Sequence, residues 1–71
     1  MKKKYTLTKL AGSIKKHRLD EKMTREELAR QAKVNYNTII KLESGTNKNP
    51  TIGTLVGIAN VFEMSIEDLI S

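Results

Sequence analysis

Between Arg25 and Lys48 the chain concentrates side chains suited to reversible polar recognition: carboxamides at Asn35, Asn37 and Asn47, a phenol at Tyr36, a hydroxyl at Thr38 and cations at Arg25, Lys41 and Lys48. A carboxamide donates and accepts at once, so it can engage a planar edge that offers one group of each kind, whereas guanidinium and ammonium groups attract anions. Catalysis asks for a different inventory. The chain has no glycine-rich phosphate loop and no nucleophile paired with a base, and a chain of 71 residues leaves no room for a deep pocket. It has no Cys, and its one histidine, His17, has no second His with which to build a ligand set. His17 therefore reads as a partly buried packing residue, and the chain as a binding protein without enzymatic activity.

Short helices must position these groups. Thr24 followed by Glu27 is a capping box, in which a hydroxyl accepts from a free backbone N–H and the carboxylate reaches back to the cap, while Met23 and Leu28 are spaced as a hydrophobic staple. The same grammar recurs at Met64, Ser65, Asp68 and Leu69, and more weakly at Val34, Asn35, Thr38 and Ile39. A further start follows Pro50, with Thr51 as the cap and Leu55 at the staple position.

Apolar spacing predicts five helices and no strand, over about 7–20, 24–32, 35–44, 51–62 and 65–70. The first rests on Leu7, Leu10, Ala11 and Ile14, the second on Leu28, Ala29 and Ala32, and the third on Ile39 and Leu42, leaving Tyr36, Asn37, Ile40 and Lys41 outward. The fourth rests on Ile52, Leu55, Ile58, Ala59 and Phe62 despite Gly53 and Gly57, which weaken helices. Gly45 stands where a left-handed helix stop is commonest, and 46–50 reads as a loop. The expected organisation is all-α: a basic tail over 1–6, with Lys2, Lys3 and Lys4, and one domain over 7–71.

Such a short chain buries only about 60% of its unfolded surface. Without cysteines it must rely on helix packing or self-association, a composition suited to a reducing cytoplasm. No apolar run approaches the roughly 20 residues that would span a bilayer, and no signal peptide is evident, so no membrane association is expected. The net charge is +5, unevenly spread: residues 1–33 carry 11 Lys and Arg against 4 acids, and residues 34–71 carry 2 against 4. That asymmetry suits a polyanion docking on one face, with Glu63, Glu67 and Asp68 held away from it, although solubilising lysines alone would produce a similar count.

The stretch TREELARQAKVNYNTIIKLES looks like a helix-turn-helix. With Ile14 through Arg18, Ala29 at the tight crossing, Thr38, Ile39, Leu42, Glu43 and Gly45, then Pro50 with Thr51 and the closing 65–69, the chain resembles the phage Cro and CI repressor type of domain, the XRE family, over about 7–70. The resemblance implies a compact five-helix lambda-repressor-like domain that binds double-stranded operator DNA, usually as a two-fold dimer. No cofactor, metal or small-molecule ligand is implied.

The scale of the groove agrees, since ten helical residues make a rod about 15 Å long and the major groove is roughly 12 Å wide. In this docking mode the second helix crosses the phosphates and the first turns of the third meet base edges. Asn35, Tyr36, Asn37 and Lys41 are the expected base contacts, with Asn37 paired to adenine in bidentate fashion. Arg25, Thr38, Asn47 and Lys48 are the expected phosphate contacts. Arg25 stands where many relatives have Gln, which should strengthen the sequence-independent part of binding.

The resemblance further implies an ion pair between Arg18 and Glu43 that ties the first helix to the end of the third. Lys22 and Lys33 fill turns where relatives often have Gly, so those turns are expected to differ slightly. Phe62, Ile66 and Ile70 are expected at a dimer interface, with the two reading helices about 34 Å apart on a palindromic operator. A repressor is the leading function, a restriction-modification controller or an antitoxin of the same fold the alternative. A protein-interaction module using Ile40 and the last helix is the rival from another class.

Overall fold

The computed structural model describes residues 7–71, and the expected basic tail over 1–6 lies outside them. Five helices follow one another: α1 Leu10–Asp20, α2 Arg25–Ala32, α3 Tyr36–Ser44, α4 Ile52–Val61 and α5 Ile66–Ile70. Each of the last four begins where a cap was read. The Thr24 hydroxyl accepts from the Glu27 N–H at 3.1 Å while Glu27 Oε1 accepts from the Thr24 N–H at 3.0 Å. Thr51, Ser65 and Asn35 accept from Thr54, Asp68 and Asn37 in turn.

The first helix departs from the expectation. It begins at Leu10, after Lys9, which offers no side-chain cap. Leu7 instead closes a turn in which its carbonyl accepts from the Leu10 N–H at 3.1 Å. Leu7 packs against the core all the same, because apolar periodicity reports burial and a turn can bury a side chain as well as a helix can. Ile52 is the second departure. It opens α4 but is 68% exposed, as the first turn of that helix projects beyond the core.

The core joins Leu10 and Ile14 of α1, Leu28, Ala29 and Ala32 of α2, Ile39 and Leu42 of α3, Leu55, Ile58 and Ala59 of α4, and Leu69 of α5. The helix pairs α2–α4, α1–α3 and α2–α3 form the main contacts, and α5 closes against α1 and α4. A methyl group on Gly57 would meet the Ala32 carbonyl oxygen, so this glycine lets α4 lie against the end of α2.

Three of the four stops between successive helices are one motif. Lys22, Lys33 and Glu63 hold φ of 55°, 59° and 55°, and in each case the next residue donates back over the last turn: Met23 to Arg18, Val34 to Ala29 and Met64 to Ala59, all at 3.0 Å. The turns at Lys22 and Lys33 thus keep the left-handed geometry a glycine would have taken, contrary to the expected difference. Burial of Met23, Val34 and Met64 against the core holds the strained residue in place. The fourth stop is Gly45 at φ 80°.

Candidate nucleic-acid interface

The helix α3 is fixed by its inner face and by its C-terminal end. Ile39 and Leu42 are sunk in the core. One turn on, Glu43 is nearly covered, and Arg18 grips it with two bonds, Nε to Oε2 at 2.7 Å and Nη2 to Oε1 at 3.1 Å. The remaining Arg18 nitrogen, Nη1, donates to the Met23 carbonyl at 2.8 Å. A buried charge is tolerated when it is paired and its other hydrogen-bonding positions are filled, and this pair meets both conditions. The ion pair implied by the resemblance is therefore present.

Arg25 joins it, which the sequence reading missed. Its Nε donates to Glu43 Oε1 at 3.1 Å, with 41% of the Arg25 side chain exposed. One carboxylate thus holds two guanidiniums, one from α1 and one from the first turn of α2. The signal available was spacing: Arg25 lies one residue inside the α2 cap, and in the tight crossing that cap faces the end of α3.

The outer face of α3 is free to meet a partner. Tyr36 is 42% exposed, and Asn37 and Lys41 are also exposed. Among the described residues the Asn37 carboxamide, the Tyr36 hydroxyl and the Lys41 ammonium form no intramolecular bond. Asn35 differs, since its Oδ1 accepts the Asn37 N–H at 2.8 Å as the helix cap; its amide nitrogen remains as a donor. Thr38 is half-buried beside this face.

The expected phosphate contacts fall in two places. Arg25 borders an open depression of about 300 Å³ with Lys15, Ile40, Glu43 and Ser44. Asn47 and Lys48 border another, of about 360 Å³, between the loop after α3 and the start of α1. Asn47 is committed to the loop fold, donating its N–H to the Lys41 carbonyl and accepting from the Asn49 N–H, both at 3.0 Å, whereas Lys48 is exposed.

His17 packs its ring 5.5 Å from that of Phe62, tilted by 39°. Phe62, Ile66 and Ile70 all lean on the core with part of their surface outward. More exposed than these are Ile52 and Val56, one turn apart on α4. Among the described residues no cluster of acids and histidine is placed to hold a metal ion, and no helix is long and apolar enough to cross a membrane.

The two capped helices, the tight crossing between them and the outward polar face of the second define a helix-turn-helix DNA-binding domain. The chain belongs to the Cro/C1-type helix-turn-helix DNA-binding family, whose pattern matches residues 13–71. It is 43% identical over 56 residues to an uncharacterized HTH-type transcriptional regulator of Archaeoglobus fulgidus, covering 79% of this chain and 78% of that one. Among solved structures it resembles the N-terminal DNA binding domain of SinR from Bacillus subtilis, with a TM-score of 0.85 and 25% identity over 89% of this chain and 91% of that one. It also resembles the wild-type restriction-modification controller protein C.Esp1396I, with a TM-score of 0.77 and 30% identity over 96% of this chain and 90% of that one. The protein is thus a helix-turn-helix transcriptional regulator of the Cro/C1 type.

Proposed function

We propose that the protein is a sequence-specific repressor that binds a palindromic operator as a homodimer and acts in the cytoplasm. Each copy inserts the first turns of α3 into the major groove of double-stranded DNA. Asn37 pairs with adenine, Tyr36 meets a base edge or a thymine methyl, and Lys41 reaches a guanine or a phosphate, with Asn35 donating beside them. Arg25, Thr38, Asn47 and Lys48 hold the backbone on either side. The single observation that carries this reading is the contrast along α3: an end locked by Arg18 and Glu43, and an outer face whose Asn37, Tyr36 and Lys41 side chains are unengaged among the described residues. A rigid rod with unspent hydrogen-bonding groups loses little conformational entropy on docking.

Residues 7–71 act as one DNA-binding domain. Phe62, Ile66 and Ile70 supply the dimer contact, supported by the apolar surface each leaves outward. Selection of bound sites from a random pool of duplexes tests sequence preference and symmetry together. A palindrome with half-sites about one helical turn apart is expected, and recovery of unselected sequence would overturn the reading. Sedimentation that finds one copy both free and on the selected site would remove the dimer.

The likeness to a restriction-modification controller favours one second reading, in which the same dimer regulates such an operon instead of a phage-type promoter. Placement of the selected site relative to neighbouring genes separates the two. A protein-interaction module would differ from both in showing no salt-dependent association with duplex DNA.

A further inference from the structure

We infer that Lys15 and Arg25 form a cradle for a single backbone phosphate of bound duplex, with Glu43 as the residue that aims Arg25 into it. The inference rests on the proposed docking of α3 in DNA and adds to it a contact from α1. The open depression between α1, α2 and α3 is lined by Lys15, Arg25, Ile40, Glu43 and Ser44, and its volume of about 300 Å³ accommodates a phosphate group. Ile40 and Ser44 lie on α3 beside Lys41, so the depression opens next to the face proposed to read bases.

Its charge favours an anion. Glu43 is the one carboxylate on its wall, and that carboxylate is already engaged by Arg18 through two bonds. Arg25 adds a second guanidinium to the same oxygen, and Lys15 is exposed and unpaired among the described residues. Three cations therefore surround one acid, leaving two positive charges uncompensated. The Arg25 Nε is tied to Glu43 while 41% of the side chain stays exposed, so the bond to a buried carboxylate sets where the guanidinium points before any anion arrives. Such preorganisation lowers the ordering cost of the contact.

The test is an anisotropy titration of a mixed-sequence 20-base-pair duplex over a series of KCl concentrations, with melting curves for each variant. Lys15→Gln is expected to keep the wild-type melting temperature and to weaken binding by about 3- to 10-fold at moderate salt, to the same factor on every sequence. Arg25→Gln should weaken binding by a similar factor, with a modest drop in melting temperature because it also takes a guanidinium from the nearly covered Glu43 carboxylate. Because both cations serve one phosphate, the double variant should lower the slope of log K against log salt by about one. A drop of about two would mean separate phosphates and would overturn the cradle. Unchanged affinity for Lys15→Gln beside weakened binding for Arg25→Gln would also overturn it, while leaving the docking of α3 intact. Absence of salt-dependent binding by the wild type would remove the docking itself, and the cradle with it.

Discussion

Gly57 lies so close under Ala32 that a Cβ built on it would come 2.5 Å from the Ala32 carbonyl oxygen. The end of α2 and the middle of α4 therefore meet backbone to backbone, which sets how near the two helices sit. Gly53, one turn earlier on α4, meets nothing closer than 3.9 Å. Opposite outcomes follow for the same substitution. Gly57→Ala should destabilise by about 1–3 kcal/mol because backbone must move, whereas Gly53→Ala should stabilise by up to about 1 kcal/mol through helix propensity. Denaturant melts of the two variants decide it, and equal shifts would refute the close approach.

Arg18 and Glu43 tie α1 to the end of the reading helix through a nearly covered ion pair. Arg18→Ala leaves a buried carboxylate short of its main partner and should cost about 3 kcal/mol or more. Replacing both members by apolar residues, Arg18→Met with Glu43→Leu, should recover much of that loss. An unchanged melting midpoint for Arg18→Ala would show that the pair does not brace α3.

Lys22, Lys33 and Glu63 each hold a left-handed backbone that L-residues adopt at a cost of roughly 1 kcal/mol. Glycine at each position should raise stability by about 0.5–1 kcal/mol, and the three gains should add because the turns are separate. Calorimetry on the triple variant checks the sum. Destabilisation would mean that contacts of these side chains outweigh the backbone strain.

Asn37 should matter for site choice and not for folding. Asn37→Ala, judged on a selected operator and on mismatched duplexes, should lose about 1–3 kcal/mol of discrimination at one position in each half-site. The melting temperature should stay put, since among the described residues no bond from its carboxamide supports the fold. Intact discrimination in both Asn37→Ala and Tyr36→Ala would remove base reading by this face.

Among the described residues Glu27 gives the one clear pH signature. The backbone N–H of Thr24, then its hydroxyl, and to a smaller extent nearby Arg30, hold the Glu27 carboxyl below its ordinary value of 4.5 against a small opposing effect of desolvation. A carboxylate with a depressed folded-state pKa favours folding above its unfolded value, and the benefit disappears as pH falls through the folded value. The melting difference between the wild type and Glu27→Ala should therefore be present at neutral pH and shrink in acid. A gap independent of pH would show that ionisation of the capping box contributes nothing.

By itself, the sequence determined the all-helical architecture, the four capped helix starts, the inward residues of α2 and α3 and the outward set Tyr36, Asn37 and Lys41. These are local properties: caps act over three residues and helical periodicity over seven, so neighbours in the chain suffice to state them. Resemblance supplied the pairing of Arg18 with Glu43. Tertiary structure alone decided that Arg25 would share Glu43, that Gly57 would seat α4 against Ala32, and that Ile52 would stand outside the core while Leu7 tucked into it from a turn. It also decided that Glu63 would end α4 in the same left-handed stop as Lys22 and Lys33. Each of these depends on where one helix lies relative to another, or on a buried anchor that makes a strained residue tolerable, and no stretch of sequence contains that distance.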